Sequence, residues 1–513
     1  MLDGLALFGQ AIWHFMAPGT IALAMGACLL GIVVGALPGL TATMGVALMT
    51  TLTLGLEASQ ALLILVCTYV GAIYGGSRSA ILLNIPGTPA SAASCLDGHA
   101  LARQGLAGRA MGIATSGSVL GTWIGMLFLA LLTPVLGEAA LGFGSYEFFW
   151  LAVFGVVISG SLTGGDPLKG WLVGFLGLLL ATVGQEGIHA YARFTYGIPD
   201  LTGGFGLIPA LVGAFGFAEV LSAMRERHRP VVVNSVDAVV PKLSDVTRYW
   251  RTIVRSGVIG TVIGIVPGVG EDVAAWTSYA AAKRASKERH LFGKGSVEGL
   301  MAAETGDNAC VPGAIVPVLT LAVPGSAPAA VLLAAMLIHG VRPGPTIMLE
   351  APTFVYEVVA MMLLASLGIL FFGLVLTKPL VRILLVPRVY VMPVVFVLCT
   401  VGSFAIASRL FDVWTMVGFG LLGYLLRRFD YPLAPLVLGI VLGDLLDKNL
   451  RRGLVLSDGS LLPFLTRPIS LVLWVAILLL VLSNIPQLRA LSGRFRRRRG
   501  AAPSGVPVSQ DPR

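Results

Sequence analysis

The sequence predicts an all-α polytopic membrane protein with about 10–12 transmembrane helices, arranged as two inverted repeats that contain broken or re-entrant helices. Three observations lead to this fold class. The 513 residues are 56% hydrophobic and only 12% charged, with a mean hydropathy of +0.87, whereas a soluble domain carries about twice that charged share. Apolar stretches of transmembrane length recur along the chain. A pattern of glycine and proline inside apolar segments also occurs twice.

The repeated pattern is Gly-x-x-x-Gly-x-x-Pro-Gly, followed by a Gly, an apolar run and a second Pro-Gly. The first copy starts at Gly31 and the second at Gly260. Proline and glycine interrupt helices, and an interruption inside a membrane is tolerated only within protein or beside a wet cavity. Paired interruptions point to a transport site near the middle of the bilayer. We therefore predict breaks or hinges at Pro38, Gly39, Pro86, Pro267, Gly268 and Pro324.

The elements of the first half follow from apolar length. Residues 1–16 form an amphipathic lead-in and 17–37 the first span. Residues 40–54, after the first break, are too short to cross and predict a half-helix or the return limb of a re-entrant hairpin. Residues 58–73 cross, and the second break follows within 74–91. Four further spans are expected at about 110–136, 146–162, 168–185 and 203–223.

The second half repeats this plan. Two limbs, 256–267 and 268–282, surround its first break, and 329–340 follows its second. Spans at about 352–377, 388–407, 411–426 and 432–446 match the four spans above, and 468–486 has no counterpart. The predicted domains are a first repeat (1–223), a basic cytoplasmic linker (224–251), a second repeat (252–450), a final transmembrane helix (451–490) and a basic disordered C-terminal tail (491–513).

The placement of basic residues predicts the orientation. Lys and Arg are absent from 54–60 of the first copy but abundant in the equivalent loop 283–294 of the second. Because such basic loops face the cytoplasm, equivalent loops lie on opposite sides and the repeat is inverted. A parallel repeat with uneven charge is the alternative. Much of the net charge of +9 lies in a few loops and in 494–499, which favours a cytoplasmic C-terminus over a nucleic-acid site.

Several function classes have no motif in this chain. The five cysteines form no Cys-x-x-Cys pair, which argues against a disulfide framework or a zinc site. The sequence has no His-Glu-x-x-His and no Gly-Lys-Ser/Thr of a P-loop. It therefore encodes no ATPase, and any pumping uses an ion gradient or a partner.

Polar residues beside the breaks are the candidates for a binding site. A half-helix that begins inside the membrane presents free N–H donors and a partial positive charge, which suits an anion. The substrate-binding candidates are Asn84, Gly87, Thr88, Ser91, Asn308, Gly325, Ser326, Thr41 and Thr43. For each hydroxyl the alternative is a plain helix cap or a bond to its own helix.

Carboxylates in apolar segments are the candidates for coupling to a cation, because charges embedded in a membrane are costly and usually functional. We predict this role for Glu304, Asp307 and Asp272, which can bind Na⁺ or carry a proton. Glu271 directly precedes Asp272. The alternatives are loop residues at the membrane edge, or ion pairs with an arginine such as Arg78.

Several motifs of the chain resemble those of the large membrane subunit of the bacterial tripartite tricarboxylate transporters, and the resemblance covers about residues 5–490. The motifs are PGLTATMG at 38–45, YGGSRSAILLNIPGTPAS at 74–91, ETGDNA at 304–309, LAVPGSAPAAVLL at 321–333 and YPLAPLVLGIVLGDLLDKNLRRGL at 431–454. Two positions depart from the family's pattern. Glu186 stands near the place of an expected aspartate, and Asp307 replaces a commoner asparagine.

The resemblance implies a secondary-active importer of tricarboxylates or related organic carboxylates, multi-pass in the bacterial inner membrane. It implies Na⁺ or H⁺ as the coupling ion, with no other cofactor, no catalytic residues and no enzymatic activity. The implied partners are a small four-helix membrane subunit, a periplasmic solute-binding protein, the carboxylate substrate and the lipid bilayer, with no nucleic acid.

Two other readings compete with this importer. A stand-alone ion-coupled carboxylate transporter is compatible with the same residues. An intramembrane aspartyl protease needs two aspartates on facing helices, for which Asp412 and Asp444 are the candidates, but its Gly-x-Gly-Asp signature is missing.

Overall fold

The computed structural model describes residues 2–37, 39–162, 166–225, 242–375, 386 and 388–484, which are overwhelmingly helical. The longer helices of the first half are α1 (Leu2–Phe15), α2 (Pro18–Ala36), α3 (Ala42–Leu52), α4 (Ala58–Leu83), α5 (Ala107–Leu141), α6 (Ser145–Leu162), α7 (Pro167–Ala181) and α8, which comprises Leu207–Leu211, the π-helical Val212–Phe217 and Ala218–Arg225. Short helical segments at Pro89–Ser91, Ala92–Ser94, Cys95–His99 and Ala100–Arg103 connect α4 to α5.

The second half continues with α9 (Trp250–Ile265), α10 (Gly270–Ala285), α11 (Val297–Leu321), α12 (Ala327–Ile338), α13 (Pro352–Val375), α14 (Arg388–Ala407), α15 (Leu410–Arg428), α16 (Ala434–Leu456) and α17 (Pro468–Asn484). Further short helical segments lie at Pro199–Gly203, Leu243–Arg248, Arg289–Leu291, Ile347–Glu350 and Leu462–Thr466. Between α7 and α8, the strands Gly184–Gln185 and Ala192–Arg193 pair antiparallel as a small hairpin.

These elements confirm the predicted all-α polytopic membrane class. Within the described residues, 8 helices are long and apolar enough to cross a membrane, and Ala42–Leu52, Pro167–Ala181, Ala327–Ile338 and Pro468–Asn484 are shorter apolar helices. The largest buried apolar cluster contains residues of α2, α3 and α4 together with residues of α11, α12 and α13. The two halves of the chain therefore share one core.

Some predicted boundaries shift or fall outside the described residues. Pro38, residues 226–241 of the expected linker and the expected tail 491–513 are not among the described residues. The helix predicted at 432–446 runs on to Leu456 as α16. Its extension carries ion pairs one turn apart, Lys448 with Asp444 at 2.7 Å and Arg451 with Asp447 at 3.1 Å. Such pairs support a helix beyond its apolar segment.

The first break has the same backbone form in both copies. α2 ends with Leu37 in an extended conformation (φ −77°, ψ 113°), and α9 ends with Val266 in nearly the same one (φ −76°, ψ 119°). In each case the next residue in sequence is a proline, and a residue before proline is driven out of the helical region. The half-helices α3 and α10 begin a few residues later.

The second break also takes one form twice. α4 ends at Asn84 and α11 at Ala322, both in the left-handed conformation, with φ of 54° and 55°. The N–H of Gly87 then donates to the carbonyl of Gly76 at 3.3 Å, and the N–H of Gly325 donates to that of Ala314 at 3.3 Å. In both copies the chain thus folds back across the helix that it has just left.

Glycines allow the broken helices to pack closely. α2 crosses α4, and a Cβ at Gly35 would overlap the carbonyl oxygen of Ala72. α9 crosses α11, and a Cβ at Gly264 would overlap the carbonyl oxygen of Cys310. Small residues at such crossings let two backbones approach within a membrane. The Gly-x-x-x-Gly parts of the two motifs therefore bring each break against its neighbouring helix.

Candidate functional site

A cavity of about 490 Å³ lies where the breaks of both copies meet. Its volume is in the range typical of small-molecule sites. The first copy contributes residues next to both of its breaks, and so does the second. The lining residues include Gly39, Thr41, Thr43, Pro86, Gly87 and Thr88 from the first copy, Gly268, Val269, Gly270, Glu271, Asp272, Ala327 and Pro328 from the second, and Phe215, Glu219, Arg427 and Tyr431 from α8, α15 and the segment before α16.

Several helices begin at this cavity. Thr41 caps α3 by accepting a hydrogen bond from the N–H of Met44 at 3.2 Å. α10 begins at Gly270 within the lining, and Ser326 caps α12 by accepting from the N–H of Ala329 at 3.4 Å. The first N–H groups of a helix have no partner inside the helix and carry partial positive charge. The arrangement can therefore hold an anion without a lysine.

A hydrogen-bonded group joins the two copies beside the cavity. The Tyr69 hydroxyl, on α4, donates to the carboxylate of Glu271 at the start of α10. The same hydroxyl lies 2.7 Å from the hydroxyl of Ser326, which caps α12. All three side chains are buried. The side chain of Ser326, predicted for substrate, is thus engaged with Tyr69 and its own helix, while Ala327 and Pro328 line the cavity.

Glu304 is the centre of a second, closed polar cluster. Its carboxylate accepts hydrogen bonds from the hydroxyls of Ser77 at 2.7 Å, Ser94 at 2.5 Å and Ser118 at 3.1 Å. These serines come from α4, the short helices after it and α5, whereas Glu304 is on α11. Glu304 is fully buried and is not among the lining residues. The predicted cation-coupling residue therefore joins the two halves of the chain through hydrogen bonds and does not line the cavity.

Asp307 and Asn308 extend this cluster. The Asn308 amide donates to Asp307 Oδ1 at 2.7 Å, to Ser118 Oγ at 2.9 Å and to the carbonyl of Glu304 at 3.1 Å. Within the described part of the chain, Asp307 Oδ2 and Asn308 Oδ1 are buried acceptors with no hydrogen-bond partner. Buried polar atoms normally have a partner. Asp307 and Asn308 are thus exceptions to this rule within the described residues.

The predicted site residues consequently divide into groups. The structure brings Thr41, Thr43, Gly87, Thr88 and Asp272 to the cavity, together with the break residues Gly39, Pro86 and Gly268. It does not bring Asn84 there, because Asn84 ends α4 in the left-handed conformation with its side chain exposed. Asn308, Glu304 and Asp307 belong to the closed cluster instead. The remaining predicted residues, Ser91, Pro267, Pro324 and Gly325, are not in the lining.

The reasons for these exclusions are local. Ser91 Oγ donates to the carbonyl of Thr88 at 2.8 Å and accepts from its N–H at 3.3 Å, so its side chain is used within the turn. Gly325 lies against α9 and α11, where a Cβ would overlap the carbonyl oxygen of Gly264 and stand 2.7 Å from the Cα of Ala314. Its role in this structure is a close backbone crossing.

Sequence reasoning missed the residues that reach the cavity from the outer helices. Arg427, near the end of α15, forms an ion pair with Glu219 of α8 across 208 residues of sequence. Tyr431 also lines the cavity, and the ammonium of Lys169 lies 4.9 Å from its ring centroid. The available signal was Glu219, a carboxylate that directly follows the apolar run 207–218 of α8.

Asp97 is a further carboxylate that lies outside the cavity lining and has structural contacts. Asp97 is buried and accepts hydrogen bonds from the N–H groups of Gly293, Gly295 and Ser296 at 2.8–2.9 Å and from the Tyr279 hydroxyl at 2.9 Å. It therefore ties the segment after the first copy's second break to the loop that precedes α11.

Glu186 and the two aspartates considered for a protease are also engaged. Glu186 accepts from the N–H groups of Ile188 at 2.9 Å and His189 at 2.7 Å. Burial raises the pKa of Glu186, but these two hydrogen bonds and the charge of Arg451 outweigh it and hold the pKa below its ordinary value. Asp412 pairs with Arg409 at 3.1 Å, and Asp444 pairs with Lys448 at 2.7 Å. The described residues contain no group of three or more His, Cys, Asp or Glu that could hold a metal ion.

Comparison with known proteins identifies the family. Residues 21–438 match the model of the tripartite tricarboxylate transporter TctA family. An uncharacterized 52.8 kDa protein in the TAR-I ttuC' 3' region of Agrobacterium vitis is 35% identical over 492 residues, which cover 96% of this chain and 98% of that protein. An uncharacterized protein in the TAR-II ttuC' 3' region of the same organism is 32% identical over 232 residues, which cover 45% of this chain and 96% of that protein.

No solved structure matches the chain. Membership of a transporter family points to a transport role rather than to catalysis. Because the family model matches more than half of the chain and the first relative covers nearly all of it, this protein belongs to the tripartite tricarboxylate transporter TctA family.

Proposed function

We propose that this chain is the large membrane-spanning subunit of a tripartite importer of tricarboxylates or related organic carboxylates in the bacterial inner membrane. A periplasmic solute-binding protein delivers the substrate, a small four-helix membrane subunit completes the complex, and an Na⁺ or H⁺ gradient drives uptake. The observation that carries the proposal is the cavity lined by residues at the breaks of both copies. Paired broken helices around one site are the architecture of secondary transporters.

The substrate anion binds at the helix starts around the cavity. Thr41, Thr43 and Thr88 line the cavity beside the breaks of the first copy. Hydroxyls there, and N–H groups at helix starts that have no partner within the helix, hydrogen-bond a carboxylate. Donors fixed in place before the anion arrives need little rearrangement, which makes them effective in a site shielded from water.

A cation offsets the charge of the substrate. Asp272 lines the same cavity, and Glu271 lies beside it with a hydrogen bond from Tyr69. These carboxylates and the carbonyls exposed at the breaks are the oxygen ligands that Na⁺ prefers, and a carboxylate can carry a proton instead. Glu304 and Asp307 provide a second position for the cation. Among the described residues, Asp307 Oδ2 and Asn308 Oδ1 are buried oxygens without a hydrogen-bond partner.

Two sets of contacts support an inverted relation between the copies. The end of α3 meets the end of α12, where His339 Nε2 lies 3.0 Å from the carbonyl of Thr53. The elements equivalent to these are α10 and the short segments after α4, and the loop that follows α10 meets the end of those segments, where Gln104 donates to the carbonyl of Lys294 at 2.9 Å. The basic loops lie at the second of these two contact regions, where Gln104 meets Lys294, and not at the first, where α3 meets α12. Equivalent ends of the two copies thus lie in different contact regions, as inversion and alternating access require.

Uptake by proteoliposomes containing all three components tests the proposal. Thr43→Ala and Thr88→Ala remove hydroxyls from the lining, and loss of a hydrogen bond to a charged group predicts a fall in uptake of about tenfold or more. The control is Thr50→Ala, because Thr50 is on α3 but donates to the carbonyl of Val46 at 2.9 Å and does not line the cavity.

The outcomes separate the proposal from its competitors. Uptake that is unchanged in both lining variants, or equally reduced in the control, would contradict this placement of the substrate. Full uptake without the binding protein and the small subunit would identify a stand-alone carrier instead. Thermal stability of each purified variant shows whether a loss of uptake reflects a loss of folded protein.

A further inference from the structure

Arg427 is the one basic residue among those that line the cavity within the described part of the chain. Three acidic residues, Glu219, Glu271 and Asp272, line the same cavity. A site with this excess of negative charge disfavours an anion unless the cationic group of Arg427 binds that anion directly. The position of Arg427 therefore bears directly on which anions can enter.

Arg427 is held in an ion pair with Glu219. Arg427 Nη1 donates to Glu219 Oε2, and the side chains of Arg427 and Glu219 are 28% and 8% exposed. Arg427 lies one residue before the end of α15, whereas Glu219 belongs to the last segment of α8. A guanidinium carries five N–H donors in a planar fork that matches a carboxylate. Glu219 already binds one of these donors, Nη1, with a carboxylate, the group that the substrate also carries.

We propose that Arg427 binds one carboxylate of the substrate and that Glu219 is the internal competitor that holds Arg427 while the cavity is empty. This inference rests on the function proposed above and names the substrate class. A monocarboxylate held at the helix starts has no second carboxylate with which to displace Glu219. A di- or tricarboxylate reaches both positions. The transporter thus selects anions with at least two carboxylates.

A purely structural role is the competing explanation, since the ion pair also ties α8 to α15. The two explanations predict different signs. If Glu219 competes with the substrate, Glu219→Gln frees Arg427 and tightens binding, whereas Arg427→Gln weakens it. If the pair only joins two helices, both variants lose stability alike and neither changes affinity in a ligand-specific way.

The test measures equilibrium binding of citrate, succinate and butyrate to the full-length chain in detergent. Succinate and butyrate have the same number of carbons but differ by one carboxylate. Arg427→Gln is expected to weaken binding of citrate and succinate by about 10- to 100-fold, the loss of a hydrogen bond between charged groups. Arg427→Lys keeps the charge without the fork and gives an intermediate loss. Glu219→Gln is expected to tighten both by about three- to tenfold.

Lys169→Gln is the matched control. It also removes one positive charge near the cavity, but Lys169 donates to the carbonyl of Phe429 at 2.8 Å and is not in the lining. Its citrate affinity should change by less than about twofold. Wild-type protein should bind butyrate more weakly than succinate. Its affinity for butyrate should not change in Arg427→Gln or Glu219→Gln.

The results distinguish two kinds of failure. If wild type binds citrate or succinate but Arg427→Gln, Arg427→Lys and Glu219→Gln leave the affinity unchanged, the role of Arg427 is refuted and the proposed function stands. The same holds if Glu219→Gln and Arg427→Gln both weaken binding. If wild type binds none of the three anions, the proposed function and this inference fail together. Thermal unfolding of each variant identifies any that fail to fold, and the Lys substitution then decides the question.

Discussion

Replacing Glu304 by Gln or by Ala should separate its structural role from a role in ion coupling. The carboxylate accepts three serine hydroxyls at 2.5–3.1 Å in a fully buried position. Glu304→Ala leaves three buried hydroxyls without this partner and opens a cavity. An unsatisfied buried hydroxyl costs about 1–3 kcal/mol, and the relief of a buried charge offsets part of the sum, so we expect a net loss of about 3–5 kcal/mol.

Glu304→Gln should cost far less. A glutamine fills the same volume, its carbonyl accepts from one serine, and its amide donates to serine hydroxyls, which act as acceptors when they rotate. We expect a loss of about 1 kcal/mol. The charge, however, is gone, so uptake driven by a cation gradient should fall by an order of magnitude or more if Glu304 couples transport to a cation.

Two assays check this pair. The melting temperature in detergent should be highest for wild type, slightly lower for Glu304→Gln and much lower for Glu304→Ala. Substrate uptake is then measured in proteoliposomes under an imposed Na⁺ gradient or an imposed pH gradient. If the Gln variant keeps the wild-type rate and the same cation dependence, Glu304 has a structural role alone, and the reasoning on coupling is wrong.

Two further predictions concern stability outside the site. Asp97→Ala removes the acceptor of three backbone N–H groups and a tyrosine hydroxyl and should destabilise the protein by about 3–5 kcal/mol. Asp97→Asn keeps an acceptor oxygen and should destabilise the protein clearly less. Equal melting temperatures for the two variants would contradict these contacts. The lowered pKa of Glu186 means that its stabilising effect is present above the ordinary value of 4.5 and is lost as the pH falls through the folded value. Melting temperatures of wild type and Glu186→Gln should therefore differ most near neutral pH and converge in acid, and a constant difference across that range would exclude the linkage.

The positions of the breaks could be read from the sequence because proline and glycine act on their own backbone. A residue before proline leaves the helical region wherever it stands, so Leu37 and Val266 end their helices alike. The membrane class followed from apolar lengths, which depend on bilayer thickness rather than on packing. The twofold occurrence of the motif likewise pointed to one cavity shared by two copies.

Side-chain roles followed the sequence less well, because the rotation of each helix selects which of its faces meets a neighbour. Thr88 and Asp272 reach the cavity, whereas the amide of Asn308 donates to Ser118 of the other half. Arg427 meets Glu219 across 208 residues, and no local pattern specifies such a partner. Local chemistry thus determined where the backbone breaks, and long-range packing of the helices chose which polar groups face the cavity and which close on one another.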